Sequence, residues 1–323
     1  MKVMIMALLL ALAPPEARMR AGADTLRVLF WNLENFFDWR NDSTSVSEAE
    51  FSSKGERHWS WKRFQEKADA IAKSILWTAG HEGGLPDVIG FAEVENALVL
   101  KRLLQGTALR KLDYKMVHYD SPDPRGIDVA LLYRSSRLQL IKAYPIHLFQ
   151  ADTLLRTRDI LLVQLKPPNA DTVSFLVNHH PSKYGGKAVS EPRRQIAVER
   201  LKFLADSLAP CHIVAMGDFN DTPANPVFKL LEPSLVNLAE PLHRKGEGTI
   251  KYQGKWELID MFFVSPELAA SAMKILRIPF LMVEDKAYSG EKPLRTYSGP
   301  RYQGGVSDHC PIWLTVVSSL RSE

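Results

Sequence analysis

Six apolar runs, spread over 323 residues, each adjoin side chains that handle cations and phosphate. Val28-Leu29-Phe30-Trp31 runs into Asn32-Leu33-Glu34-Asn35, and Asp87 to Phe91 leads to Ala92-Glu93-Val94-Glu95-Asn96. Ser174 to Val177 leads to Asn178-His179-His180-Pro181-Ser182, and His212 to Met216 leads to Gly217-Asp218-Phe219-Asn220. Glu257-Leu258-Ile259-Asp260 opens a fifth run, and Ser307-Asp308-His309-Cys310-Pro311 precedes the last. Each fragment alone reads equally well as a turn, because Asp and Asn favour turns anyway. Together they offer carboxylates and amides, which suit hard cations, and imidazoles that change charge near neutral pH. Such a set fits attack of water on a phosphate ester: the water must approach an anion, the leaving oxygen must shed charge, and a hard divalent cation serves both needs.

The elements that must position these groups are short. Candidate strands are Leu26–Trp31, Asp87–Phe91, Val129–Tyr133, Ile160–Lys166, Val173–Val177, His212–Met216, Leu258–Val264 and Pro311–Val317. A helix is expected over Trp61–Leu76, where Trp61, Phe64, Ala68, Ile71, Ala72 and Ile75 share a face. A second is expected over Pro192–Leu208, capped by Ser190 with Pro192 in its first turn. No Gly-rich strand-to-helix turn has the dinucleotide spacing, so an α/β sandwich of two sheets fits better than a Rossmann fold. No repeat or second core interrupts the chain, and residues 24–323 read as one catalytic domain. The polar stretch Asn41–Ser53 reads as a loop.

The succession Asn-x-Glu, Glu-Val-Glu-Asn, Arg-Gly-Ile-Asp, Asn-x-His, Gly-Asp-Phe-Asn, Ile-Asp and Ser-Asp-His resembles the endonuclease/exonuclease/phosphatase (DNase I-like) family from about Leu26 to Leu314. That resemblance implies a four-layer sandwich, with two mixed sheets face to face, helices outside, and an active site at one rim. It implies Mg²⁺, with Mn²⁺ or Ca²⁺ as alternatives, on Glu93 as main ligand. Asn32 and Asp308 are expected at the same ion, with Glu34 assisting or serving a second. Asp218 matches the aspartate that positions and deprotonates water, and Asn220 the amide that holds the phosphate or a second ion. Since an ordinary Asp has a pKa of about 4, orienting the water is the main role expected of Asp218. His309 is expected to donate to a phosphoryl oxygen with Asp260 fixing its tautomer. His180 is the expected second imidazole, with Asn178 on its side of the strand, His179 on the other, and Asp128 as its partner. Lys183, Arg193 and Arg194, near a helix start, are expected to meet substrate phosphate.

Lys2, the apolar run Val3 to Ala13 and Ala21-Gly22-Ala23 read as an export leader over residues 1–23, which implies a secreted or periplasmic protein. No later run reaches the roughly 20 apolar residues of a membrane helix. The net charge of +4, from 41 basic and 37 acidic residues, leans toward an anionic partner without identifying nucleic acid. Cys211 and Cys310 are expected to be buried free thiols. The leading reading is a monomeric nuclease or phosphodiesterase. A phosphatase of inositol phosphates or a sphingomyelinase-like diesterase uses the same rim on a small ester. A non-catalytic binding protein would show gaps in the set, and Glu93, His180, Asp218, Asn220, Asp260 and His309 leave none.

Overall fold

The structure is a computed structural model and describes residues 24–40, 45–168, 170–183 and 186–318; the expected leader lies outside them. The main strands are β1 (Asp24–Phe36), β2 (Val88–Val94), β3 (Tyr114–His118), β4 (Asp128–Arg134), β5 (Gln139–Ile146), β6 (Ile160–Lys166), β7 (Val173–His179), β8 (His212–Asp218), β9 (Asp260–Val264) and β10 (Ile312–Ser318). The main helices are α1 (Trp61–His81), α2 (Ala97–Gly106) and α3 (Lys187–Leu208). One sheet runs β10-β1-β2-β4-β3, extended beyond β10 by the short strands Ala269–Ala270 and Lys274–Ile275. The other runs β9-β8-β7-β6-β5, with Val236–Asn237 beyond β9. Both are mixed: β1 and β2 are parallel, as are β7 and β8, while β10, β4, β9 and β6 pair antiparallel with them.

β1 is apolar on both faces because it is covered on both. Leu26, Val28 and Phe30 join Phe175, Val177, Val214 and Met216 between the sheets. Leu29 and Trp31 face the other way, onto Phe64, Ala68, Ile71 and Ile75 of α1. Ala197, Val198 and Leu201 of α3 cover the second sheet, completing four layers. Each such side chain contributes about 1.5–3 kcal/mol when fully buried. The sheets approach most tightly at Gly90, where a Cβ would lie 2.8 Å from the Met216 methyl.

Several boundaries differ from expectation. Ser60 caps α1 by accepting from the Arg63 N–H, and the helix continues five residues past Leu76. α3 begins at Lys187 rather than Pro192, with Gly186 at its cap, so Pro192 falls in the second turn and Ser190 bonds back to the Gly186 carbonyl. Leu258 and Ile259 precede β9 rather than belong to it. Part of the expected loop is ordered by packing: Val46–Glu50 is a helical turn, and Phe51 stacks on Phe37 at 5.1 Å. The cysteines are unpaired as expected, but Cys211 is exposed; only Cys310 is buried. No helix among the described residues is long and apolar enough to cross a membrane.

Candidate active site

The C-terminal ends of β1, β2, β7 and β8 lie at one rim, and the starts of β9 and β10 return to it. Two irregularities turn side chains inward there. Pairing of β1 with β2 shifts between Asn32 and Phe36, and pairing of β2 with β4 shifts between Ala92 and Val94. Glu34, Asn35 and Glu93 carry the twist with φ of 45°, 56° and 59°, as does Asn220 at 51°. Positive φ is costly for a residue with a Cβ, and it clusters where function over-determines the backbone. The Ser307-Asp308-His309 turn is fixed on β1: Ser307 Oγ donates to the Asn32 carbonyl and Trp31 Nε1 to that of His309.

Asp218 sits at the centre. Its Oδ2 accepts from Asn32 Nδ2 at 3.0 Å and lies 3.7 Å from His179 Nε2 and 3.9 Å from His309 Nε2. His179 Nε2 is 3.9 Å from Glu93 Oε1. His309 Nδ1 meets Asp260 Oδ2 at 2.8 Å, and its Nε2 lies 3.9 Å from Asp308 Oδ1. Spacings near 4 Å let one oxygen be held between these groups, which is what positioning a water or a phosphoryl oxygen requires. Burial, reinforced by the charge of Asp260, pushes the Asp218 carboxyl up to about 7. Burial disfavours the His309 cation, yet Asp260, by charge and hydrogen bond, and then Asp218 hold its pKa well above the ordinary value. Burial, followed by Arg158 and Arg125, drives His179 well below that value, so its ring is neutral. The site thus pairs one protonated imidazole with one neutral imidazole around a carboxylate poised near pH 7.

Residues 27–318 match the profile of the endonuclease/exonuclease/phosphatase family. The chain belongs to that family. Its members hydrolyse phosphoric esters, and the sandwich expected from the sequence is the family fold. Among curated proteins it is 28% identical over 139 residues to protein angel homolog 2 of Mus musculus, which covers 39% of this chain and 24% of that protein. The chain therefore spans about a quarter of that relative's length. Among solved structures it resembles D. rerio TDP2 complexed with a single-strand DNA product, with a TM-score of 0.56, 15% identity, and coverage of 91% of this chain and 100% of that one. It also resembles the mannosyl-6-phosphatase Bt3783 of Bacteroides thetaiotaomicron, with a TM-score of 0.57, 14% identity, and coverage of 90% and 99%.

In this family member the rim gathers Asn32, Glu34, Glu93, Asp218, Asn220, Asp260, Asp308 and His309; the expected histidine, its partner and the substrate-binding set are placed differently. His179, not His180, faces Asp218 and Glu93. His180 points away: it is buried against Phe219 at 4.8 Å, and neither ring nitrogen has a hydrogen-bond partner among the described residues. Only its carbonyl serves the site, accepting from Asn220 Nδ2 and Arg158 Nη2. Asn178 shares that orientation and is buried, donating to the Leu176 and Met216 carbonyls. Asp128 pairs with His118 at 3.0 Å and with Ser121, not with His180. Arg194 is buried against Asp221 and the Pro181 carbonyl, Lys183 lies 3.5 Å from Glu257, and Arg193 alone of the three is exposed without a partner among the described residues.

Two arginines were missed by sequence reasoning. Arg125 donates to Asn35 Oδ1 and lies 3.6 Å from Glu93 Oε2. Arg295 grips Glu34 through Nε at 2.9 Å and Nη2 at 2.7 Å and meets Asp308 at 3.0 Å. Thr296 N donates to the other Glu34 oxygen, and the buried Lys67 ammonium donates to the Glu34 carbonyl. Burial and Asp308 push the Glu34 carboxyl up to about 7, against Arg295 and Lys67. Its contacts are all donors, two of them from the Arg295 cation, and these favour the ionised form. Both oxygens of Glu34, expected to assist at the ion or serve a second, are thus engaged within the protein.

Proposed function

We propose that this is an exported, metal-dependent phosphodiesterase acting on nucleic acid. The observation that carries the hydrolytic reading is the array Glu93–His179–Asp218–His309–Asp260, assembled across both sheets. The groups at the rim suited to a cation offer oxygens: the carboxylates of Glu93 and Asp308 and the amide of Asn32, each also held by a protein contact. The one buried thiol, Cys310, is pushed by burial up to about 12 and stays protonated. That set suits Mg²⁺, with Mn²⁺ or Ca²⁺ as substitutes. Glu93, Asp308 and Asn32 would hold the ion, which when bound supplies neutralisation of the phosphate charge. Asp218, Asp260 and His309 also bring ligand atoms within 4.8 Å of one another, but Asp260 and His309 are committed to each other.

Asp218 orients the attacking water and, with its pKa near neutrality, accepts its proton; this is a stronger role than an ordinary aspartate would have. His309, held protonated by Asp260, donates to the phosphoryl or leaving oxygen. His179, neutral and facing Glu93 and Asp218, supports the phosphoryl group from the other side, and Asn220 contributes its amide.

Support for a nucleic-acid substrate is the TDP2 neighbour with its DNA product, and support for export is the leader-like start. One observation favours a small ester instead: of the three cations expected to meet a polyanion, only Arg193 is free, and Bt3783 is a sugar phosphatase by name. The test is a panel of plasmid DNA, RNA, a generic diester and monoester, and sphingomyelin, each with Mg²⁺ or chelator, beside Asp218→Ala. Cleavage of DNA or RNA that weakens steeply with salt supports the first reading, because a polyanion releases many counterions. Salt-insensitive turnover of a small ester alone supports the second, and full turnover in Asp218→Ala overturns both.

A further inference from the structure

Arg295 lies where two carboxylates of the rim converge, and its guanidinium does geometrically what a bridging cation would do. We propose that Arg295 takes the place of a second divalent ion between Glu34 and Asp308, so that the site works with one ion, on the Glu93 side. The inference rests on the metal-dependent reading above.

Three observations carry it. First, both oxygens of Glu34 are engaged: one takes both Nε and Nη2 of Arg295, and the other takes the Thr296 N–H at 2.8 Å. A guanidinium bound through two nitrogens is a strong, permanently charged partner that a metal must displace rather than join. Second, Nη2 touches both carboxylates, 2.7 Å from Glu34 and 3.0 Å from Asp308, which fixes their separation. Third, Lys67 sits behind Glu34, its ammonium 2.6 Å from the Glu34 carbonyl and 2.8 Å from Thr296 Oγ1. Two fixed cations already face Glu34, so a divalent ion bridging it to Asp308 would meet repulsion from both, whereas Arg295 holds only Oδ2 of Asp308 and leaves Oδ1 toward the Glu93 side. Glu93 differs: Oε2 takes the Asn35 N–H at 2.8 Å with Arg125 3.6 Å away, while Oε1 has only the His179 ring, at 3.9 Å, among the described residues. The Arg295 side chain is 48% exposed, and Nη1 makes no hydrogen bond among the described residues, so that edge is available to a phosphoryl oxygen.

The experiment counts Mn²⁺ bound to the metal-stripped full-length protein, from the free-ion paramagnetic resonance signal, in wild type, Arg295→Lys and Arg295→Ala. One ion is expected in the first two and two in Arg295→Ala, with kcat on the preferred ester down roughly 100-fold in the alanine variant. Two ions in wild type would overturn the proposal, and so would a single ion in Arg295→Ala. Should that variant not fold, the wild-type count decides alone. No bound ion and no turnover in wild type would instead remove the metal-dependent reading itself, and this proposal with it.

Discussion

The two adjacent histidines at the end of β7, His179 within it and His180 just past it, occupy opposite worlds. His179 is in line with Asp218 on the neighbouring strand, where paired residues share a face, while His180 is one residue further on and turned into the apolar layer. His179→Ala is therefore expected to lower kcat about 100-fold or more, whereas His180→Phe leaves it within a few-fold of wild type; steady-state kinetics of both variants check this. The mistaken preference for His180 has a physical reason. β7 is buried on both faces, so its sequence carries no alternation of apolar and polar positions from which a facing side could be read. The acid and base are also a matter of single residues. Asp218 must lose its proton and His309 keep one, so activity is expected to rise through about pH 7 and fall again above the raised pKa of His309, in a profile whose apparent values belong to the coupled pair. Asp260→Asn removes the charge that raises both. Its profile should move to lower pH, the alkaline limb more than the acid one, because burial still holds Asp218 up; an unmoved alkaline limb would deny Asp260 its role.

At the level of strands and helices, the apolar runs located most of the framework. They could not show that β1 and β2 end in irregular pairing, since one residue gained in a ladder leaves no trace in composition. That is why Glu93 was found by its place after a strand, while the backbone twist that aims it was not. The start of α3 was misplaced because Ser190 looked like a cap, whereas Gly186, with φ of 87°, opens the helix without a side-chain cap. Gly217 tests how tightly two strands must pair for the chemistry. A Cβ there would lie 2.3 Å from the Asn178 carbonyl oxygen, which forces β7 and β8 apart. Gly217→Ala is expected to cost about 1–3 kcal/mol in denaturant unfolding and to lower kcat as well, because the displaced ladder carries His179 and Asp218 at its end.

For the molecule as a whole, the order of fragments along the chain was enough to foresee a single rim, but not its positive lining. Arg125 stands in the Arg-Gly-Ile-Asp fragment and Arg295 in no motif, and the approach of each to a rim carboxylate is set by tertiary packing. Global stability should carry the mark of His180. Burial drives its pKa down to about 3, with Arg158 and Arg194 adding to the effect, against an ordinary value of about 6.5 in the unfolded chain. The unfolded state thus binds the extra proton first. Stability from this group is fully present above about pH 6.5 and is lost as pH falls toward 3, by up to about 5 kcal/mol. His180→Phe should flatten that part of the curve of unfolding midpoint against pH, and an equally steep acid loss in the variant would refute the assignment.

The tight approach of Gly90 to Met216 has one more consequence. The first sheet carries Asn32, Glu93, Asp308 and His309, the second carries His179, Asp218 and Asp260, and between them lies packed hydrocarbon, with the Asn32–Asp218 and His309–Asp260 hydrogen bonds at its edge. Catalysis therefore straddles a seam, and small slippage along it uncouples the reacting groups while every strand remains intact. Warming should silence the enzyme several degrees before its circular dichroism changes, and Met216→Ala, which thins the seam without touching the rim, should widen that interval.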